Sequence, residues 1–303
     1  MRHVLIMGSG AVGGYYGAHL AVTDGIDVSF AARGKHLEAI RKNGLQITGK
    51  KEMHVKHVRA LEHPEELEHT PELILVAVKS FDTPEALDMI RQVAGPGTLI
   101  LTIQNGLENY DLLAAELGSD RVVRGFCKIG VEVTGPGIIE YRGMSTVVFG
   151  EESGASSNRV LQLQKIFEFA EIPARVSGDI RRESWLKFIW NGIFNMLTGL
   201  SSVTTDRIFE DEDAVTTAWE LFYEMKTVAG ASGVSISDKD GSKIIEDTRK
   251  LGAFRTSTYQ DRLRGNPLEY EAFCGYIVRK ADKLELDVPV NRTLYSLFKL
   301  QDG

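Results

Sequence analysis

Cysteine is scarce in this chain: Cys127 and Cys274 are the only two among 303 residues. They lie far apart, each among apolar neighbours. Two separated cysteines make neither a disulfide framework nor a zinc ligand set, so we read them as buried thiols in a reducing compartment and expect no metal site. Long apolar runs are also missing. No window approaches the roughly 20 residues that a membrane span requires, and the apolar opening runs so soon into glycine that no signal peptide is expected. A cytoplasmic location is the default expectation. An excess of positive charge is lacking too: 35 Lys plus Arg stand against 42 Asp plus Glu, for a net charge of −7. A binder of phosphate backbones needs a basic face, so nucleic acid is not the expected partner. A small anionic ligand stays open, because a local cluster can oppose the global charge. Internal repeats and low-complexity segments are absent.

What is there is a globular composition, 43% hydrophobic and 25% charged, in a chain whose length suggests two domains. The apolar runs "HVLIM", "DVSFAAR", "PELILVAVKS" and "GTLILTIQNG" read as strands, and helical spacing separates them. Such alternation predicts right-handed βαβ units and a mostly parallel, doubly wound Rossmann-type sheet. "LQITG" and "EMHVKHVRAL" read as a small hairpin excursion, and residues 121–150 as short antiparallel additions at a sheet edge. Thr83 is expected to cap the helix that Pro84 and Glu85 open. After "SGD" helical spacing prevails to the end. The expected division is therefore an α/β domain over 1–177 and an all-α domain over 178–303.

The densest local signal is "MGSGAVGGYYG", residues 7–17. Gly8-x-Gly10-x-x-Gly13 falls between a strand and a helix, where it reads as a dinucleotide fingerprint. The first glycine permits the tight turn, the second lets a pyrophosphate approach the backbone, and the third lets helix and strand pack closely. Gly8, Ser9, Gly10, Ala11, Val12 and Gly13 thus form the expected cradle, with the anion at the helix start. The second strand ends "FAARGKH" without the carboxylate that would accept from the ribose 2′-hydroxyl of NAD. Arg33 there can grip a 2′-phosphate bidentately, which predicts NADP(H). Lys79, taken as the end of the long apolar strand, points to the same crevice beyond the strands' carboxyl ends. Asn105 by itself reads as a turn residue before Gly106.

In the helical half, "ESWLKFIWNGIFNMLTGL" (183–200) is apolar on nearly every face except at Lys187, Asn191 and Asn195. Their i, i+4, i+8 spacing stacks them along one side of a regular helix. The stripe either faces solvent or needs partners, which a small anionic substrate would supply. Further on, Asn266, Pro267 and Glu269 look like a cap, first turn and capping-box carboxylate. Ser257 carries no signal of its own.

Taken together, "GSGAVGGYYGAHLA", "AARGKHLEAIRKNGLQI", "VAVKSFDT", "IQNGLEN", "ESWLKFIWNGIFN" and "STYQDRLRGNPLEYEAFCGYIVRKA" make the chain resemble the ketopantoate reductases (2-dehydropantoate 2-reductases) over nearly its whole length. The resemblance implies an NADPH-binding Rossmann domain, a helical domain, and a 2-keto acid substrate between them, with domain closure hinged near "VSGD". It implies Arg33 and Lys79 at the adenosine 2′-phosphate and Asn105 against both cofactor and substrate. Lys187 becomes the catalytic lysine, Asn191, Asn195 and Ser257 substrate ligands, and Glu269 a catalytic carboxylate near the nicotinamide ribose. A lysine of ordinary pKa, about 10.4, is an ammonium at neutral pH and suits a carbonyl oxygen gaining negative charge. This chain departs from the family where Met196 follows Asn195, since many members read Asn-Pro. Reduction of another branched 2-keto acid and non-catalytic NADPH sensing are the alternatives. A homodimer through the helical half is compatible with the sequence.

Overall fold

The computed structural model describes residues 1–302. Two compact units emerge, one of Met1–Asn105 with Asn109–Ile180, the other of Gly106–Glu108 with the chain from Arg181 onward. The division falls after Ile180 rather than at 177, and the short stretch Gly106–Glu108 joins the second unit.

The first unit carries β1 (His3–Met7), α1 (Ala11–Ala21), β2 (Asp27–Ala31), α2 (Gly34–Asn43), β3 (Leu45–Gly49), β4 (Met53–Val55), β5 (Arg59–Leu61), β6 (Leu73–Val76), α3 (Thr83–Val93) and β7 (Leu99–Thr102). α4 (Glu108–Leu117), β8 (Val122–Gly135), β9 (Ile138–Gly150), α5 (Asn158–Phe169) and β10 (Ala174–Val176) follow. The strands form one sheet in the order β4-β3-β9-β8-β7-β6-β1-β2-β5, with β10 beside β9. Pairing is parallel from β5 through β8, and the chain order reverses between β1 and β6. The two-residue period of a strand sends neighbours to opposite faces. Val4, Ile6, Leu73 and Leu75 therefore share a core with Tyr16, Leu20 and Phe167. Leu5, Met7, Ile74 and Val76 pack instead with Leu87, Ile90 and Leu113. Helices cover both faces, as the expected doubly wound architecture requires.

Some local expectations need correction. β6 ends at Val76, so Lys79 is not strand; it precedes the one-turn 3₁₀ helix Ser80–Asp82. Asp82, not Thr83, is the N-cap of α3, and no side chain caps there. Residues 121–150 form one long hairpin rather than short edge runs, with β8 parallel to β7 and β9 continuing the sheet to β3. β3 and β4 do form a hairpin, but β5 crosses to the opposite edge beside β2. Cys127 is half-buried, whereas Cys274 is buried.

The second unit is helical: α6 (Ile180–Trp190), which begins one residue before the division, then α7 (Met196–Ser201), α8 (Thr205–Phe209), α9 (Glu212–Ala231), α10 (Asp238–Leu251), α11 (Ser257–Arg264), α12 (Cys274–Lys283) and α13 (Pro289–Asp302). α9 buries Ala218, Leu221, Phe222, Met225, Val228 and Ala229 at helical spacing. Around it pack Phe188, Ile193, Phe194, Phe273, Ile277 and Phe298. Ser237 and Asp240 form a capping box that starts α10. None forms at Asn266: no helix begins there, and Glu269 instead precedes the 3₁₀ turn Tyr270–Ala272. Gly265 ends α11 in the left-handed conformation, and Asn266 Nδ2 turns back to donate to Asp261 Oδ1.

The glycine loop separates packing from openness. Gly8 has φ +96°, and a Cβ on Gly13 would lie 2.1 Å from the Gly8 carbonyl oxygen, whereas one on Gly10 meets nothing within 4 Å. Gly13→Ala is expected to destabilise the chain by roughly 1–3 kcal/mol through overpacking, and Gly10→Ala by less than about 1 kcal/mol. Urea unfolding of the two variants checks the order; equal losses would contradict it.

Candidate functional site

In the first unit the predicted cofactor residues gather at the carboxyl ends of β1, β2, β6 and β7. Ser9, Gly10, Ala11, Val12 and Gly13 run from β1 into α1, whose first-turn N–H groups have no intrahelical partner. Gly10 is the N-cap and offers no side-chain cap. Ser9 is 2% exposed, and its Oγ is buried without a hydrogen-bond partner. An unpaired buried hydroxyl beside an open glycine and free helix N–H groups fits an anionic group at the loop.

The loop is fastened by a residue the sequence reading overlooked. His36 Nε2 lies 2.9 Å from the Ser9 carbonyl, and the Gly137 N–H donates to His36 Nδ1 at 3.1 Å. A backbone N–H can only donate and a carbonyl only accept. The ring is therefore neutral, with its proton on Nε2.

Arg33 lies two residues past the end of β2, as the N-cap of α2 rather than within the strand, and it is paired with acidic partners from another segment. Its Nη2 lies 3.0 Å from Asp82 Oδ1 and its Nη1 2.8 Å from Glu85 Oε2. These pairs raise the guanidinium pKa further. Lys79, three residues before Asp82, is half-buried on the same stretch. Asn105 follows β7, and its carbonyl accepts from Asn109 Nδ2. A buried amide-and-hydroxyl chain fixes that turn. Thr83 Oγ1 donates to Asn109 Oδ1 at 2.9 Å, and Gln104 Nε2 donates to Thr83 Oγ1 at 2.8 Å and to the Val78 carbonyl at 3.1 Å. The segment carrying Lys79 and the turn carrying Asn105 are thereby tied together.

In the second unit, the helix expected to be regular is interrupted. Asn191–Asn195 winds as a π-helix between α6 and α7, a feature often found at functional sites. Lys187 Nζ donates to Asn191 Oδ1 at 3.0 Å and sits 4.6 Å above the Trp190 ring. Trp190 is itself held by its Nε1–H donating to Thr248 at 2.8 Å. Asn191 and Asn195 are 2% and 1% exposed, so neither belongs to a solvent-facing stripe. Asn195 Nδ2 donates to Ser257 Oγ at 3.1 Å, while its Oδ1 is buried with no partner. Ser257 is exposed at the first position of α11. Thr198 gives its hydroxyl proton to the Phe194 carbonyl, so Thr256 donates to Thr198 at 2.7 Å and locks α7 to α11. Glu269 is buried, 5% exposed, on the turn after α11. The geometry thus joins Lys187 to Asn191 and Asn195 to Ser257.

Burial pushes the Cys274 thiol up to about 12, which leaves it without thiolate character. No group of three His, Cys, Asp or Glu side chains placed to hold a metal occurs among the described residues. No helix among them is long and apolar enough to cross a membrane.

Burial also lowers the His36 pKa below 6.5. A histidine kept neutral by the fold contributes stability that is present above the unfolded value of about 6.5 and is lost as pH falls through the lower folded value. The Tm of the ligand-free chain should therefore drop as pH falls from about 6.5 through the lower folded value, and less steeply in His36→Asn. Parallel Tm–pH curves for the two proteins would refute the clamp.

Two family models match the chain. One, described as ketopantoate reductase PanE/ApbA, covers residues 4–154; the other, ketopantoate reductase PanE/ApbA C terminal, covers 179–302. A 2-dehydropantoate 2-reductase of Mesorhizobium japonicum is 33% identical over 89% of this chain and 88% of its own length. The crystal structure of a PanE/ApbA family ketopantoate reductase from Ralstonia eutropha JMP134 superposes with a TM-score of 0.90 at 32% identity, covering 99% of this chain and 98% of that one. A D-mandelate dehydrogenase solved with NADH and anilino(oxo)acetate shares the fold, with a TM-score of 0.90 at 21% identity and coverage of 99% and 98%.

Proposed function

This chain belongs to the ketopantoate reductase family and is an oxidoreductase; from that premise we propose that it reduces 2-dehydropantoate to (R)-pantoate with NADPH, a step toward pantothenate and coenzyme A. The observation that carries the reading is the hold on Lys187, whose amine is fixed by Asn191 Oδ1 and the Trp190 face beside a π-wound segment.

The Gly8-to-Gly13 loop would hold the pyrophosphate, with the Ser9 hydroxyl free to donate to it. Arg33 and Lys79 would meet the adenosine 2′-phosphate, and Asn105 the nicotinamide end. When bound, NADPH supplies the hydride that reaches the C2 ketone. As that bond forms, negative charge grows on the ketone oxygen. A nearby ammonium stabilises it and then donates its proton, and Lys187 is the group we assign to this task. The neutral amine left behind recovers a proton from solvent. Asn191 orients the amine without adding a competing charge. Asn195 Oδ1, buried and unsatisfied, is an acceptor suited to a substrate hydroxyl. Ser257 supports Asn195 from the other amide atom. Glu269 we assign to the nicotinamide ribose or to orienting Lys187.

A second reading, reduction of another branched 2-keto acid, is favoured by Met196. It follows Asn195 directly, is fully buried, and has Cys274 Sγ 3.8 Å from its Sδ. A different packing volume next to Asn195 would suit a different acyl group. NADPH oxidation followed by absorbance with 2-dehydropantoate and a panel of 2-keto acids distinguishes the two. We expect the highest kcat/KM for 2-dehydropantoate. A larger value for another keto acid would move the assignment to that compound, and no turnover with any would refute both readings.

A further inference from the structure

After β2, Arg33 has both terminal nitrogens engaged by carboxylates, and among the described residues no other side-chain hydrogen bond or ion pair of those two carboxylates is recorded. Asp82 is the N-cap of α3, a position where an aspartate ordinarily accepts from a first-turn N–H. Here it makes no side-chain cap; its Oδ1 faces Arg33 Nη2 at 3.0 Å instead. Glu85, in the first turn of the same helix, faces Arg33 Nη1 at 2.8 Å. The helix N-terminus favours both negative charges.

A 2′-phosphate brings about −1.5 to −2 charges near neutral pH. To take a bidentate grip on Arg33 it must share the fork with two carboxylates or displace them. Either way it lies close to two like charges. A ribose 2′-hydroxyl has no such quarrel, and it can donate to a carboxylate as it does in sites that select NAD. Building on the cofactor placement proposed above, we propose that Asp82 and Glu85 are specificity-determining residues that narrow the preference of this site for NADPH over NADH. Arg33 pulls the balance toward the phosphate, and the two carboxylates pull it back. Each exposed ion pair contributes little to fold stability, so these charges act on the ligand rather than on the architecture.

Equilibrium titration of the full-length chain with NADPH and with NADH, followed by nicotinamide fluorescence, reads this without reference to the keto acid. The quantity is the ratio of the two Kd values. Asp82→Asn and Glu85→Gln are each expected to shift the ratio toward NADPH by roughly three- to tenfold at low ionic strength, and by less at high salt. Arg33→Gln is expected to shift it toward NADH. If both carboxylate variants leave the ratio within twofold of the parent, or move it toward NADH, the proposal is overturned while Arg33's role stands. If Arg33→Gln leaves the ratio unchanged, the placement of the 2′-phosphate fails and the proposal falls with it.

Discussion

An ammonium on a helix crowded with aromatic and aliphatic side chains is costly to bury unless the protein supplies it with partners. Lys187 has Phe188, Ile189, Ile193 and Phe194 as near neighbours in sequence, all at most 2% exposed. The chain answers with an amide oxygen one turn on and an indole face between them. Neither of these two partners carries a negative charge; both orient the amine, the amide oxygen by accepting its hydrogen bond and the ring by its negative face. Around it, Thr248 on α10 holds the indole, and the hydroxyls of Thr198 and Thr256 join α7 to α11 just past the π-wound stretch.

In the first unit backbone geometry rather than side-chain charge shapes the glycine loop. Gly8 turns the chain, Gly13 admits the helix within contact of the strand, and Gly10 leaves space. His36 then pins the Ser9 carbonyl from α2 and borrows an N–H from the turn between β8 and β9. The loop is thus held through a backbone carbonyl, and its first-turn N–H groups take no part in the hold.

Much of this was legible in the sequence because it is local. The strand–glycine–helix order around residues 7–17, the position of Arg33 after β2 and the switch to helices near residue 180 are all short-range patterns. The pairing of β3 with β9, by contrast, joins Gln46 to Ile138, and no period in the sequence announces so distant a neighbour. Asp82 and Glu85 were invisible as partners of Arg33 for the same reason, being about 50 residues away in the chain. The π-turn at Asn191–Asn195 was hidden because its residues fit an α-helical spacing as well; only packing shows that both amides are buried. At Asn266, local cap chemistry was outweighed by the left-handed turn at Gly265, after which the chain runs without regular structure to Glu269.

The central claim is that Lys187 supplies the positive charge and the proton at the reacting carbonyl. Single-turnover hydride transfer in Lys187→Ala, measured by stopped flow with saturating NADPH and the best keto acid of the panel, tests it most directly. The account predicts a transfer rate lower by about 10²–10⁴-fold with NADPH affinity essentially unchanged. A rate within a few-fold of the parent would contradict it.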